Sequence, residues 1–405
     1  MQLSSPMGEG LIRGREDRRT LPHSVQWVVK ISKLCNLRCN YCYEYKSLGD
    51  SHRIGLDQIR RMFEHIARAY EGSRRQMDFV WHGGEPLLIE PAYYEEIFKI
   101  QKEIFVLAGI DFSNSIQTNL TQLTDDIESL LKRHMRHVGV SLDLFGSERV
   151  TAGGRRMEDQ VVANIHRLRE AGINLGCITV LSRATVEHIH EIYGFFEACK
   201  LSFRLLPIYR TSYPGQQERH ALSSAEIRDA FIQAADLWFA SESDIQVRPI
   251  RDYVINAVRL LHIDKVDLHF YDRREAEIVF IVDTDGQLFS NADAYDPRLS
   301  HGDIFEQEFK VMRSSEGYLR SVAGSDGRMA ATCKACMFHG ACSGYFMGEA
   351  TPEQRHEENG RLVCSVAKPV QEYVLERLRE PILYQALISR CAMSDFALNH
   401  TVADV

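Results

Sequence analysis

The chain has 405 residues, 44% of them hydrophobic and 26% charged, with 48 Lys plus Arg against 56 Asp plus Glu. This length predicts two to three domains that need no disulfides, and the formal net charge of -8 argues against nucleic acid as the main partner. Since no apolar run approaches the roughly 18 residues of a membrane span, and residues 1–20 lack the apolar centre of a signal peptide, we expect a cytoplasmic protein without membrane partners.

The N-terminal residues 1–23 are polar and Arg-rich without a period, which predicts a mobile arm. From residue 24 onward, strand patterns alternate with helical ones. The predicted strands are Val25–Ile31, Asp78–Trp81, Ser113–Thr118, Val138–Leu142, Leu175–Leu181 and Phe203–Pro207. Helical spacing of apolar residues follows them at Leu56–Tyr70, Tyr93–Leu107, Asp125–Arg136 and Val186–Ala198. Six consecutive strand-helix units predict a parallel α/β sheet or an incomplete barrel over residues 24–245.

After residue 245 this alternation stops. Residues 246–276 are interpreted as a linker helix region, and Ile278–Val282 with Gln287–Phe289 as a hairpin. The Asp285-Gly286 pair between those two strands predicts a type I′ turn. Residues 277–370 are then expected to form a small cysteine-bearing domain, and residues 371–405 a C-terminal helical segment.

Ten cysteines in a reducing compartment indicate metal or redox chemistry rather than disulfides. The first group, Cys35, Cys39 and Cys42, directly follows the first strand, where parallel α/β folds gather their active sites. Three thiolates at this spacing can hold a compact iron-sulfur cluster and leave one iron open. A zinc loop completed by a distant histidine is the alternative.

The second group has four cysteines, enough for a closed tetrahedral site that could hold zinc or a [4Fe-4S] cluster. Its members are Cys333, Cys336, Cys342 and Cys364. His339, inside this group, is interpreted as an ordinary loop histidine. The remaining cysteines, Cys177, Cys199 and Cys391, are expected to be structural thiols.

The first cysteine group, with Tyr41 before its last member, resembles the radical S-adenosylmethionine (SAM) family. That resemblance implies a partial (β/α)6 TIM-like barrel in which Cys35, Cys39 and Cys42 hold a [4Fe-4S] cluster. In the family, the open iron of this cluster binds the amino and carboxylate groups of SAM, which is cleaved to a 5′-deoxyadenosyl radical.

Further segments match positions at which the family contacts SAM. His82-Gly83-Gly84-Glu85 resembles the family's GGEP segment, which meets the methionine amino group. Polar contacts to SAM are implied for Thr118 and Asn119 after the third strand and for Ser141 and Asp143 after the fourth. Arg149 is the candidate for the SAM carboxylate, in competition with Arg155.

The second cysteine group and the hairpin before it resemble the SPASM (twitch-like) extension of peptide-modifying radical SAM enzymes. Asn291 and Phe346 occupy positions at which two-cluster members of that family have cysteine. The resemblance therefore implies one auxiliary [4Fe-4S] cluster and the loss of the other. Asp283, Asp285 and Asp293 near the hairpin are candidate bases, with Asp283 and Asp293 preferred.

The whole pattern is most similar to maturases of ribosomally made peptides, in particular those that form cyclophane cross-links. This similarity implies a precursor peptide as substrate and a flavodoxin or ferredoxin as electron donor. A formylglycine-forming sulfatase maturase is the first alternative, although such enzymes have Cys-Asp where this chain has Asn291-Ala292. The other two alternatives are a radical SAM enzyme that acts on a small molecule and a non-catalytic zinc protein.

Overall fold

The computed structural model describes residues 24–208, 219–276, 279–293, 295–350, 356–358 and 361–391. The predicted arm at residues 1–23 and the predicted C-terminal segment beyond residue 391 lie outside them. Within the described residues, no helix combines the length and the apolar character that crossing a membrane requires.

The centre of the fold is a ten-stranded sheet with the order β10-β9-β8-β1-β2-β3-β4-β5-β6-β7. Its strands are β1 Ser24–Ser32, β2 Gln76–Gly83, β3 Phe112–Thr118, β4 His137–Ser141, β5 Leu175–Leu181, β6 Phe203–Pro207, β7 Val247–Arg248, β8 Val279–Val282, β9 Gln287–Ser290 and β10 Gly302–Asp303. Neighbouring strands from β8 across to β7 are parallel. At one edge of the sheet, β9 pairs antiparallel with both β8 and β10. All six predicted strands are present as β1 to β6.

Helices follow most of the parallel strands. They are α1 Leu56–Tyr70, α2 Pro91–Leu107, α3 Asp125–His134, α4 Glu158–Glu170, α5 Ile189–Ala198, α6 Ser224–Ala240, α7 Ile250–Leu261, α8 Arg273–Ala276, α9 Phe309–Met312, α10 Glu316–Thr332, α11 Tyr345–Gly348, α12 Ala367–Arg377 and α13 Pro381–Arg390. Local sequence explains their ends: the Thr124 side chain caps α3, which has three acidic residues in its first turn and three basic ones in its last.

The two faces of the sheet differ in polarity, because successive residues of a strand point to opposite faces. On the helix-covered face, Trp27 contacts Tyr70 of α1 at a ring-centroid distance of 6.4 Å, and Trp81 contacts Tyr94 of α2 at 5.9 Å. The alternate residues of the same strands, including Lys30 and His82, face the other side. This inner face therefore supplies polar groups next to the carboxyl ends of the strands.

The predicted hairpin exists, but the predicted type I′ turn is wrong. Four residues, 283–286, join β8 to β9, and of these only Gly286 has a positive φ, +87°. The Asp283 N–H donates to Gln287 O at 2.9 Å and the Gly286 N–H donates to Asp283 O at 3.0 Å. Because Asp285 keeps a negative φ, the loop needs only one left-handed residue, and glycine supplies it.

The hairpin also belongs to the central sheet, because β8 pairs in parallel with β1. Farther along the chain, β11 His356–Glu358 and β12 Arg361–Val363 form a separate two-stranded sheet. Helix α12 follows and packs against α6 and α7. Its buried residues include Val370 and Val374.

Candidate active site

The first cysteine group lies in the loop that leaves β1. The Cys35 N–H donates to Leu48 O at 3.1 Å, and Arg38 N–H donates to Val150 O at 2.7 Å. The Asn40 N–H donates to Glu148 O at 3.0 Å. Residues 38 and 40 thus tie the cysteine loop to the segment that follows β4.

The three thiols share one electrostatic environment. Burial raises the pKa of Cys35 to about 11 and that of Cys42 to about 12, and repulsion from Cys39 adds to both increases. Burial also raises the pKa of Cys39, while the nearby Arg149 guanidinium opposes that increase. Buried thiols of this kind ionise readily only when a positive charge such as bound iron compensates them.

The donor set fits an iron-sulfur cluster. Within the described ranges, no three His, Cys, Asp or Glu side chains converge closely enough to hold a single metal ion. A multi-iron cluster holds its thiolates farther apart than one ion does, and thiolates are its usual ligands. The Cys35 sulfur also accepts hydrogen bonds from Leu37 N–H at 3.4 Å and from Asn119 Nδ2 at 3.7 Å, as sulfurs that carry negative charge do.

The two glycines after β2 allow this segment to contact the cysteine loop. A Cβ on Gly83 would lie 2.0 Å from Ser32 O, and one on Gly84 would lie 2.3 Å from Lys33 O. The Gly84 N–H donates to Ser32 O at 2.9 Å and the Glu85 N–H to Leu34 O at 2.8 Å. The close approach of the two backbones, which any side chain would prevent, fixes the residues immediately before Cys35.

Glu85 joins this segment to the end of β3. Its carboxylate accepts hydrogen bonds from Thr118 Oγ1 at 2.6 Å, Asn119 N–H at 2.6 Å and Leu87 N–H at 2.9 Å. Burial raises the pKa of Glu85, although these three donors oppose the increase. The Asn119 side chain in turn donates to Asn36 Oδ1 at 2.9 Å, so the group reaches back to the cysteine loop.

Tyr41, Asp143 and Arg149 form a second buried group beside Cys39. The Tyr41 hydroxyl donates to Asp143 Oδ2, and Arg149 donates to the Tyr41 hydroxyl at 3.1 Å and to Asp143 Oδ2 at 3.4 Å. Arg155, its competitor in the sequence, is exposed. The structure therefore brings Arg149, and not Arg155, to the cysteine loop.

Ser141 lies at the end of β4, the strand that pairs with β3. Its hydroxyl accepts a hydrogen bond from Gln117 Nε2 at 2.9 Å, which links the ends of β3 and β4. With the two groups described above, the polar residues predicted to contact SAM therefore lie along the carboxyl ends of β2 to β4, on the same edge of the sheet as the cysteine loop.

Residues 29–196 match the family model described as the Radical SAM superfamily. The chain carries a radical SAM domain. The enzymes of this superfamily use SAM and a [4Fe-4S] cluster, and in this chain the thiols of Cys35, Cys39 and Cys42 are the groups that would hold such a cluster.

Curated relatives are distant in sequence. The chain is 24% identical over 360 residues to a cysteine-type anaerobic sulfatase-maturating enzyme of Clostridium novyi, a match that covers 86% of this chain and 94% of the relative. It is 27% identical over 208 residues to a serine-type anaerobic sulfatase-maturating enzyme of Bacteroides thetaiotaomicron, covering 49% of this chain and 50% of the relative.

Solved structures share the fold. Tagged anSMEcpe with bound AdoMet (SAM) superposes with a TM-score of 0.70 at 15% identity, covering 92% of this chain and 99% of that one. Streptococcus suis SuiB bound to the precursor peptide SuiA gives a TM-score of 0.53 at 15% identity, covering 82% and 74%. At these identities the likeness supports the radical SAM α/β fold with its parallel sheet.

The inner face of the sheet carries a charged group that the sequence did not indicate. Lys30 is fully buried, donates to Glu44 and lies 3.7 Å from the centroid of the Tyr295 ring. Burial lowers the pKa of Lys30, but Tyr43, Glu44 and Asp283 outweigh it, so the net pKa is raised. A lysine in a strand pattern gives no signal of burial, because its partners come from distant segments.

His82 and Asp283 lie near Lys30. Burial and the Lys30 charge lower the pKa of His82 to about 4, and its Nδ1 accepts the Gly83 N–H at 2.7 Å, so the ring is neutral. Asp283 accepts a hydrogen bond from Lys33 Nζ at 2.8 Å. Burial raises the pKa of Asp283, but Lys30 and Lys33 more than reverse this, so it lies below its ordinary value.

Asp293, the other preferred base, is held in a different environment. It is 4% exposed, pairs with the fully buried Arg273 and accepts a hydrogen bond from Ser321 Oγ at 2.6 Å. Arg273 also pairs with Glu349 at 2.6 Å. This ion-pair network satisfies the Asp293 carboxylate and leaves Asp283 as the more accessible candidate. Asp285 is exposed at the hairpin turn.

The second cysteine group combines two separate segments. Cys333, Cys336 and Cys342 lie between α10 and α11, whereas Cys364 lies just before α12. Burial raises the pKa of Cys342 to about 12, and the charges on Cys364, Cys333 and Cys336 add to this increase. Burial also raises the pKa of Cys364, although the backbone N–H groups of residues 368 and 367 at the start of α12 oppose the increase.

The other cysteines match their expected structural role. Cys177 and Cys391 are buried, and burial raises their pKa values to about 12 and about 11. Cys199 is half-buried and packs against the core. His339 is exposed, with its ring centroid 4.7 Å from that of Phe270.

Proposed function

We propose that the chain is a radical SAM maturase that modifies a side chain of a ribosomally made peptide. The observation that carries this proposal is the extent of the match to the C. novyi sulfatase-maturating enzyme, which covers 86% of this chain. A match of 360 residues extends well beyond the radical SAM domain at residues 29–196. It therefore includes much of the region that carries the second cysteine group.

Two finer features of the architecture belong to the same proposal. The open parallel sheet corresponds to a partial (β/α)6 barrel, and the region of residues 277–370 to a SPASM-type domain. Cys333, Cys336, Cys342 and Cys364 would hold one auxiliary [4Fe-4S] cluster. The mutual repulsion of their buried thiols supports this, because such a set is stable as thiolates only around metal.

The residues around the first cysteine group have separable roles. When bound, the [4Fe-4S] cluster supplies the electron that cleaves SAM, giving the radical that removes hydrogen from the substrate. Arg149 supplies positive charge beside Cys39, and the Tyr41-Asp143 pair fixes its guanidinium. Glu85 holds the ends of β2 and β3 together. The carboxylate of Asp283 would take up the proton that the substrate loses when a cross-link forms, and an auxiliary cluster held by the second cysteine group would supply the acceptor for the electron lost with it.

For the product, we propose a cross-link of the cyclophane type. The chain lacks the Cys-Asp pair that the formylglycine-forming enzymes place after the hairpin, and the nearby Asp293 is fully engaged by Arg273 and Ser321. Formylglycine formation is the second candidate, because the curated relatives include both cysteine-type and serine-type sulfatase-maturating enzymes. A flavodoxin or ferredoxin would supply electrons.

The first experiment tests SAM cleavage. Protein reconstituted anaerobically with iron and sulfide, then given SAM and a reductant, is expected to form 5′-deoxyadenosine, whereas Cys39→Ala is expected to form none. Cys199→Ala, which changes a thiol outside both groups, serves as the matched control. Full activity of Cys39→Ala would contradict the assignment of the first cysteine group.

The second experiment identifies the product. Short peptides encoded beside the gene are coexpressed with the protein and examined by mass spectrometry. A cross-linked peptide would have two hydrogen atoms fewer and would not react with a hydrazide. A product that reacts with hydrazide would instead favour formylglycine, and turnover of a small molecule without any peptide change would overturn the peptide proposal.

A further inference from the structure

Arg204 lies on the inner face of the sheet near its far edge. Its neighbours along β6, Phe203 and Leu205, are buried on the opposite face, so the alternation of the strand points Arg204 inward. In the register of β6 and β7, Arg204 is paired with Arg248. Two guanidinium groups therefore stand side by side on the face that also carries Lys30 and His82.

The guanidinium of Arg204 has no protein partner within the described part of the chain. It is half-buried, yet it makes no hydrogen bond there and no ion pair within 4.0 Å. The more buried arginines of the same molecule differ: Arg149, Arg259 and Arg273 each donate to protein oxygens. A partly desolvated guanidinium without an acceptor is unfavourable, and an anionic ligand would relieve that cost.

The surroundings of Arg204 lead toward the second cysteine group. The Arg204 charge acts on the phenols of Tyr253 and Tyr345, and Tyr253 also lies close to Cys364 and Cys342. Arg204 is therefore on the part of the inner face that is near the second cysteine group.

Asp252 is the acidic residue nearby, and its Oδ1 is buried without a hydrogen-bond partner. The positive charges of Arg248, Arg204 and Arg251 all act on it. An acceptor oxygen near the Arg204 guanidinium matches a peptide, which offers an N–H and a carboxylate together.

We propose that Arg204, with Arg248 beside it, binds a carboxylate of the peptide substrate, and that this site selects peptides with an acidic side chain near the modified residue. This inference rests on the proposed peptide-modifying function. The planar guanidinium of Arg204 is suited to bidentate contact with a carboxylate, which a lysine at the same position would provide only as a point charge.

The test uses the reconstituted full chain with SAM present and an array of random seven-residue peptides. Each peptide is printed with a partner in which every Asp and Glu is replaced by Asn or Gln. One half of the array is attached through its C-terminus, so that only side chains offer carboxylates, and the other half through its N-terminus, so that the free α-carboxylate is also present.

The wild-type protein is expected to be retained more strongly by the acidic member of each pair on both halves. Arg204→Gln is expected to reduce this preference about tenfold, because a hydrogen bond to a charged group is lost. Arg204→Lys should keep part of the preference. Arg74→Gln, which removes the same charge from an exposed residue before β2, should keep all of it.

Three outcomes would overturn the inference. Equal retention of acidic and amide peptides by the wild type, or an unchanged preference in Arg204→Gln, would contradict it and leave the peptide-modifying function intact. A preference seen only when the α-carboxylate is free would show that the site binds the peptide C-terminus and not an acidic side chain. If no peptide is retained at all, the peptide-modifying function fails together with the inference.

Discussion

At the scale of single residues, charge compensation explains much of the candidate site. Arg149 is buried, and its positive charge acts on Cys35 and Cys39 in the loop that leaves β1. Asp143 is almost completely buried and accepts hydrogen bonds from Tyr41, from Arg149 and from the Val180 N–H at 2.6 Å. Each charged group is thus stabilised by another, and removal of one leaves its partner buried without compensation.

Burial separates two arginines that the sequence left in competition as partners of the SAM carboxylate. Arg149→Gln is expected to lower the rate of 5′-deoxyadenosine formation about tenfold to a hundredfold at a fixed SAM concentration, because a charged hydrogen-bonding group is lost beside the cysteine loop. The exposed Arg155→Gln should leave the rate unchanged. The measurement is anaerobic SAM cleavage at several SAM concentrations, and equal effects of both substitutions would contradict the role of Arg149.

At the scale of the elements, short contacts between backbones position the cysteine loop. Gly83 and Gly84 at the end of β2 lie directly on residues 32–34, so the second strand determines where the loop after the first strand begins. The sequence motif identifies these glycines by resemblance alone. The structure adds the steric reason that both positions lack a side chain.

Gly84→Ala tests this contact. The added Cβ would lie 2.3 Å from Lys33 O and 2.4 Å from Leu34 O, so the backbone must shift, at a cost of about 1–3 kcal/mol. We expect a lower thermal midpoint and less iron bound after reconstitution. Gly49→Ala is the control, because nothing lies within 4 Å of its added Cβ. Wild-type iron content and midpoint in Gly84→Ala would show that the contact is unimportant.

The two candidate bases lie in different parts of the chain, and their substitution by Asn is expected to change the stability to different extents. Asp293→Asn removes charge from a buried ion pair with Arg273 and is expected to lower the free energy of unfolding by about 3 kcal/mol. Asp283→Asn loses a partly buried pair with Lys33, so its effect on stability should be about 1 kcal/mol or less.

Product formation distinguishes the two variants further. If Asp283 accepts the proton, Asp283→Asn should still form 5′-deoxyadenosine but yield little modified peptide, as judged by mass spectrometry. Thermal unfolding of both variants supplies the stability comparison. A stable Asp293→Asn that makes no product would reverse the assignment of the base.

At the scale of the whole molecule, local patterns in the sequence predicted the six strand-helix units and both cysteine groups. They did not predict β7, which has only two residues, nor the parallel pairing of β8 with β1, which joins residues far apart in sequence. The buried Arg273 was missed for the same reason. Its Arg-Arg-Glu surroundings are typical of an exposed helix, and its partners come from three other segments.

The second cysteine group connects the C-terminal helices to the rest of the fold, because Cys364 directly precedes α12, which packs against α6 and α7. Cys364→Ala should therefore reduce iron from about eight to about four atoms per chain, since the auxiliary [4Fe-4S] cluster proposed for this group would be lost. It should also lower the thermal midpoint and keep SAM cleavage while losing modified peptide. Cys199→Ala, outside both groups, should retain iron, midpoint and product. Wild-type iron content in Cys364→Ala would exclude this residue as a cluster ligand, and zinc in place of iron in the wild type would contradict the auxiliary cluster.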